Sequence, residues 1–501
     1  MASDQQSGAG GSVSLRDRYL IYPGTPLAEF ATPSAQAFHA EDRRDPTKPL
    51  FALIVRPGHP ARIDAMRAIK GSESPGLMTL AEWGPMDWPP LNRKVMAVVY
   101  ERPGGGRVMS SLTAEFKPLD EADLIRKVVS PIFAALREVR LHSVTHRAIR
   151  PTNMFWATAE KDRIILGDCA TVLSALEQPA VVETIESSMC HPAGRGPGSY
   201  ADDIYSFGAS VALLLHGRNP VSHLDDETVL RRKILHGSFA VLAADERLSL
   251  QTSEFLRGTM CDDPHERWTA ESIELWLSGR RLSPLLAKFE KRASRGLPFN
   301  GKEYSTAREL AMAFCKNWDA VAQLVLDGRL ELWLRRSLDM KDKADAIAGV
   351  TREAVMAVND KRAAAFDTMV AKTCMVLDSR APIRYKTLAA MPDGIGGLLA
   401  EAIADGTDLR TIAEALMREV PKGYFETRDA YNPENSLMDS SFREQKNFLD
   451  RATLGNGVER VLYSMNDAMP CLSPLIVDDY VLDIRDLLPA LNAATKKVDG
   501  K

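Results

Sequence analysis

Leu141–Phe155, LHSVTHRAIRPTNMF, decides how this chain is read. A helix is predicted immediately before it. Ser130–Pro131 supplies a cap and a first-position proline, and Ile132, Phe133, Leu136 and Val139 recur at helical spacing as far as His142. That helix delivers a loop carrying His146, Arg147, Ala148, Arg150 and Asn153. Arg163–Leu166 (RIIL) reads as a strand that runs into Gly167–Asp168–Cys169–Ala170. Further on, ADDIYSFGASVALLLHGRNP (201–220) reads as a buried helix with the apolar stripe Ile204, Phe207, Val211, Leu214 and Leu215. Asp263–Thr269, DPHERWT, follows.

In order and spacing these stretches resemble the protein kinase superfamily, of the serine/threonine-kinase-like kind, over residues 16–283. His146, Arg147, Pro151 and Asn153 stand in register with H-R-D-L-K-P-x-N, and Asp168 alone survives of D-F-G. His191–Pro192–Ala193 takes the place of A-P-E, residues 201–220 resemble the D-I-Y-S-L-G helix, and DPHERWT matches D-P-x-x-R-x-T. The resemblance implies structural roles for His146, Arg147, Asp203 and Arg267. Asp203 would hold the catalytic-loop backbone, and Arg267, which loses its usual glutamate to Ala193, would need another acceptor. It also implies ATP and Mg as cofactors, with Asn153 and Asp168 as the metal-holding pair. The competing reading is that both persist as hydrogen-bonding supports of two adjacent loops. The catalytic aspartate is replaced by Ala148, whose methyl cannot accept a proton.

Upstream, from Tyr19 to Val108, short apolar runs alternate with Pro and Gly breaks, as in a small β-rich lobe. Leu50–Val55 (LFALIV) and Lys94–Tyr100 (KVMAVVY) are the clearest strands. Leu27–Ala37, in the place of the family's Gly-rich loop, contains no glycine. Aligning Phe51–Ile54 with V-A-I-K puts Ile54 where the phosphate-gripping lysine belongs. Arg56, two residues on and on the same strand face, is the candidate substitute; an exposed strand-end arginine is the alternative. Pro60–Lys70 reads as a short helix with no Glu to pair with such a cation, and the Gly104–Gly106 run, with no helix after it, is not read as a phosphate cradle. Ser174, Thr184, Ser187 and Ser188 are candidate phosphorylation residues in the activation-segment position.

Residues 284–301 are basic and read as a linker. Beyond them 302–501 is expected to be an all-α domain. Its helices are expected to start at Ser305 or Thr306, at Asn317 and at Leu330, then to cover 342–376, 395–404, 408–419 and 479–495, with a loop-rich stretch over 421–475. Trp333, Arg335 and Arg336 are core or a partner site.

Composition bounds the rest. With 501 residues the chain exceeds one core, and 45% hydrophobic and 26% charged residues are ordinary for a globular protein. A net charge of −4 gives no sign of a nucleic-acid or acidic-membrane partner. Six scattered cysteines without a C-x-x-C pair suit reduced thiols in the cytoplasm. The start, MASDQQSGAGGSVS, is not a signal peptide, and no apolar run reaches a membrane span.

The expected architecture is therefore α+β: a disordered start (1–15), a bilobal kinase-like fold with its small lobe over 16–108 and its large lobe over 109–283, a linker (284–301) and the helical domain (302–501). The expected function is that of a catalytically impaired kinase-like protein, a pseudokinase, regulatory or scaffolding, with protein partners on the large lobe or on 302–501. Two alternatives stay open. One is an atypical kinase using Arg56 or Arg150 as cation and Asp162 or Asp168 as base; the other is a kinase-fold enzyme of different nucleotide chemistry at Asn153 and Asp168.

Overall fold

A computed structural model describes residues 11–243, 247–282, 290–359, 365–427 and 433–498. Residues 1–10 of the expected disordered start, 284–289 of the expected linker and 428–432 of the expected loop lie outside the described residues. The fold is mixed, with a β-rich N-terminal sheet and many helices, and is compatible with a kinase-like fold. By contact density the chain separates into two compact units, residues 1–177 with 213–219 and 468–501, and residues 178–212 with 220–467.

In the first unit, β1 (Val13–Leu15), β2 (Tyr19–Pro26), β3 (Ala35–Asp42), β4 (Asp45–Val55), β5 (Leu80–Trp88) and β6 (Arg93–Glu101) form an antiparallel sheet in the order β1-β2-β3-β4-β6-β5. Both clearest strands of the sequence lie inside it. Strand alternation sorts the residues. Leu50, Ala52 and Ile54 of β4 and Val95, Ala97 and Val99 of β6 join Met86 and Trp88 in one apolar core. Phe51 pairs with Tyr100 and Leu53 with Val98 on the opposite face, which is the face that carries the candidate site.

Between β4 and β5 runs the expected short helix, Ile63–Ile69. The helix expected from Ser130 begins earlier. Asp120 caps Glu121–Leu124, a wider turn spans Ile125–Val129, and Ser130–Leu141 continues the same rod. Ser130 is thus not a cap; its backbone is helical and its hydroxyl donates to the Ile125 carbonyl at 3.0 Å. The wide turn absorbs the missing N–H of Pro131, so the chain does not break there. The last stretch of the chain belongs to this unit as well: Arg93 on β6 donates to the Val477 carbonyl at 2.7 Å.

In the second unit, an aromatic cluster anchors the 200–277 region. Phe207 meets Phe255 at 5.5 Å and Phe255 meets Trp276 at 4.8 Å. Helices between residues 302 and 467 build onto this same body. Thr306 caps Ala307–Phe314, as expected, and Trp318–Leu326 ends at left-handed Gly328 before Arg329–Arg336. Asn317 sits at its expected cap position but its amide donates to Ala313 at 3.2 Å rather than capping.

Several expectations for this region need correction. Residues 302–501 are not all helical, since Leu297–Phe299 pairs with Lys302–Tyr304 and Ile383–Tyr385 pairs with Leu388–Ala390. Three-residue strands are too short to show periodicity. The first hairpin also gives the end of the expected linker regular structure. Residues 421–475 hold the helices Val420–Glu426, Pro433–Asp450 and Val458–Met465. Pro421 and Pro433 sit in first turns, where proline starts a helix rather than breaking one.

The compact units also cut across the expected boundary near residue 301, because the later helices are bonded to the 178–212 segment. His191 N–H donates to the Ala389 carbonyl and Met391 N–H to the Gly194 carbonyl, both at 2.8 Å. A Cβ on Gly394 would lie 2.0 Å from the Gly194 oxygen, so only glycine permits this approach. Arg308, 2% exposed, donates to Glu186 at 2.5 Å and to Asp378 at 2.9 Å. Removing one partner of a buried ion pair strands the other charges. Arg308→Ala should therefore lower stability by about 3–5 kcal/mol, read as an earlier unfolding transition in urea. An unchanged midpoint would mean that the later helices do not depend on this pair.

Candidate functional site

The loop of residues 146–153 is positioned by the rod that ends at Leu141 and by a small hairpin in which Met154–Trp156 pairs with Ile164–Leu166. That pairing brings Asn153 beside Gly167 and Asp168. Gly167 N–H donates to the Asn153 carbonyl at 2.8 Å, and a Cβ on Gly167 would meet Asn153 Oδ1 at 2.4 Å. Asn153 Nδ2 donates to the Ala148 carbonyl at 2.9 Å and to the Asp168 carbonyl at 2.8 Å, tying the two loops through backbone. Ala148 is 7% exposed and offers a methyl where the family's base would stand.

Asp168 is surrounded by donors. Its carboxylate accepts from Tyr100 Oη at 2.6 Å, from Thr171 Oγ1 at 2.5 Å, and from the N–H groups of Ala170 at 3.1 Å and Thr171 at 3.3 Å. Burial, and next the Asp168 charge, hold the Tyr100 phenol well above its ordinary range, so it stays a donor. His146 is fully buried, and its Nδ1 accepts from Ala148 N–H at 3.2 Å. Burial first, then the charges of Arg62 and Arg150, push its imidazole down to about 3, so it is neutral at physiological pH.

Aromatic side chains fill the space between the sheet and this loop. Phe30, from the glycine-free segment between β2 and β3, stacks at 4.6 Å on Phe51 of β4 and at 5.7 Å on Phe155, two residues past Asn153. Tyr100 stacks on Phe51 at 5.8 Å. Two polar clamps hold the Phe30 segment in place. Arg107 donates to the Glu29, Ala31 and Thr152 carbonyls, and its guanidinium lies 4.9 Å over Phe155. Glu177 accepts from Ser34 N–H and from Arg150 Nη2, at 2.8 and 2.7 Å. Arg150 is thereby a buried link within the site.

The cation positions differ from the sequence alignment. Ile54 belongs to the core on the far face, so the β4 residue facing the site beyond Phe51 is Leu53. Arg56 is exposed at the end of β4 and follows the alternation of Ile54, away from Phe51. Besides Arg107 and Arg150, Arg62 reaches the site, just before the Ile63–Ile69 helix. Its Nη1 donates to the His146 carbonyl at 2.9 Å and to the Cys169 carbonyl at 3.0 Å, and its Nη2 to the Thr145 carbonyl at 2.6 Å. Its own N–H donates to Ala170 O at 2.8 Å. Arg62, Arg107, Phe30, Tyr100 and Glu177 were not singled out from the sequence. The only available signal was an aromatic residue, Phe30, inside a segment otherwise made of small and polar residues. The Gly104 and Gly105 N–H groups close a turn onto the Ala157 and Trp156 carbonyls.

Most of the remaining expected residues lie in the second unit. Asp203 is fully buried in Tyr200–His216. Arg267 donates to the Cys261 and Ala201 carbonyls at 2.8 and 2.9 Å and covers Tyr205 at 5.1 Å. Arg147, in the first unit, is buried with φ 54°. Thr184 and Ser187 are both buried, Thr184 capping a short helix by accepting from Ser187 N–H. Trp333 is buried and donates to the Arg295 carbonyl, while Arg335 pairs with Glu331 and Asp345.

Two expectations follow for the first unit. Arg62→Met leaves three carbonyl oxygens short of a donor and should cost roughly 3 kcal/mol, seen as faster amide hydrogen exchange in 146–153. Protection equal to that of the parent chain would exclude the clamp. For His146, an unfolded imidazole takes up its proton near pH 6.5 and the folded one near 3, so the unfolded state binds more protons in between. Stability should fall as pH drops through that window, by up to about 1.4 kcal/mol per unit, and His146→Asn should flatten the slope. A slope that the variant leaves unchanged would assign the acid sensitivity elsewhere.

Comparison with known proteins adds a distant relationship. No protein-family model matches the chain. Over 197 residues, 37% of its length, it is 25% identical to a calcium/calmodulin-dependent protein kinase type 1 of Caenorhabditis briggsae, covering 53% of that protein. Over 221 residues, 40% of its length, it is 23% identical to a calcium/calmodulin-dependent protein kinase of Metarhizium anisopliae, covering 56% of it. The chain spans about half the length of the curated relatives it matches. These similarities support a kinase-like domain in this chain.

Proposed function

We propose that this protein is a pseudokinase: a kinase-like module that does not transfer phosphate and that works as a regulatory or scaffolding partner of other proteins. The observation that carries this reading is Phe30, seated between Phe51 and Phe155 with its segment clamped by Arg107 and Glu177. It fills the space between sheet and loop with protein. Ala148 in place of a base and Leu53 on the site-facing side of β4 point the same way. Effects of positioning and charge stabilisation of the kind lost here each account for orders of magnitude in rate.

On this reading Mg-ATP does not fit the site. A metal would have to compete for Asp168 oxygens that already accept from Tyr100, Ala170 and Thr171, while Asn153, whose two N–H groups tie the loops together, could offer it only Oδ1. Arg56 stands on the other side of the sheet from the aromatic stack. Asn153 and Asp168 then act as supports that hold two loops together. Partner proteins would be met by the helical regions on either side of residue 301. A cytoplasmic setting agrees with six cysteines, none of them bridged. Among the described residues no helix is long and apolar enough to cross a membrane.

Thermal unfolding of the full chain with and without millimolar Mg-ATP tests the reading. A ligand present at 100 times its dissociation constant adds about 2.7 kcal/mol, a shift of a few degrees. The expected result is no shift and no label transferred from γ-labelled ATP to protein. A shift that Asp168→Asn abolishes would restore nucleotide binding, and transfer lost in that variant would end the pseudokinase reading.

A further inference from the structure

The second unit contains a cavity of about 580 Å³, within the range of roughly 300–1,000 Å³ usual for small-molecule sites. Ile185, Ile234, Phe239 and Met260 form its apolar wall. What distinguishes it is how its hydrogen-bonding capacity is spent. Three of the carboxylates on and behind its wall are already engaged. Asp262, on the wall, accepts from Ser238 N–H at 2.9 Å and from Ser238 Oγ at 2.5 Å. Glu186 and Asp378, behind the wall, accept from Arg308.

Lys233 and Lys291 are likewise spent, Lys233 on three carbonyls and Lys291 on Asp339, whereas the three arginines are not. Arg308 is nine-tenths buried and lines the cavity, and its Nη1 makes no hydrogen bond among the described residues. Arg380, also on the wall, approaches Glu186 only to 3.6 Å and Glu290 only to 3.9 Å, longer than a hydrogen bond. The Arg257 guanidinium lies over the Phe239 ring, 4.0 Å from its centroid, and its N–H groups make no hydrogen bond among the described residues. Four carboxylates, Glu266 and Glu290 among them, share the wall with five Lys and Arg side chains, so net charge is nearly balanced; unspent donors, all three on guanidinium forks suited to planar or tetrahedral oxyanions, set the preference.

We propose that this cavity binds a small organic anion, a carboxylate or phosphate ester with an apolar or aromatic body. Its oxygens would be held by Arg308, Arg380 and Arg257 and its body by the Phe239–Met260 side. The inference does not rest on the pseudokinase reading, because no residue of it belongs to the aromatic-filled site.

The test is calorimetric titration of the full chain with phenyl phosphate, benzoate and inorganic phosphate. Phenyl phosphate or benzoate should bind, and inorganic phosphate should bind at least about tenfold more weakly for want of the apolar wall. Whichever aromatic probe binds tighter identifies the anion. Arg380→Gln and Arg257→Gln should each weaken binding by about tenfold or more while leaving the unfolding temperature unchanged. Arg308 is kept, because it also ties the fold together. Failure of all three probes to bind, equal binding of inorganic phosphate, or binding untouched by both variants would overturn the proposal.

Discussion

The guanidinium of Arg62 reaches the carbonyl oxygens of Thr145, His146 and Cys169, and the order of the first unit's site follows from that contact. A phosphotransferase of the kinase kind aligns the same region with a lysine on the sheet and a glutamate on the helix. Both of those partners are side chains, and either can be lost by substitution. Here one planar, permanently charged fork at the start of a seven-residue helix grips backbone, which no substitution removes. The sheet position facing the site is then free to be apolar, and Leu53 occupies it.

Once the phosphate-handling groups are absent, the site has to satisfy itself. A buried carboxylate without donors costs several kcal/mol, and Asp168 avoids this by taking bonds from Tyr100 and Thr171. An empty space lined by Phe51 and Phe155 would forgo dispersion and leave apolar surface wet, and Phe30 closes it. The clamps of Arg107 and Glu177 work on the backbone of the Phe30 segment, so they do not depend on the identity of its side chains. Frame residues persist because burial protects them: His146 is neutral in its buried setting and Arg267 has replaced a missing carboxylate by two carbonyls and a tyrosine ring.

The second unit shows the same economy with different parts. Its later helices are joined to the 178–212 segment by main-chain bonds at a glycine–glycine approach and by one buried arginine held between two carboxylates. Those carboxylates consume part of Arg308 and leave one nitrogen facing a cavity. An interaction that secures packing thus also leaves a donor where a ligand can use it.

Motif order, the strands within β4 and β6 and the cap at Thr306 were legible in the sequence. Each is a local matter of spacing or capping within a few residues. Less legible were the rod through Pro131, the short hairpins and the helices started by Pro421 and Pro433, where a residue that breaks helices also begins them. By itself the sequence determined that a kinase-like frame is present and that Ala148 cannot act as its base. Only the tertiary structure decided that Leu53 rather than Ile54 shares a strand face with Phe51, that Phe30 stacks on Phe51 and Phe155, that Arg62 grips the loop carbonyls, and that residues 302–467 share a body with 178–212. These outcomes rest on contacts between residues far apart along the chain, and no local periodicity encodes which distant partner a side chain will meet.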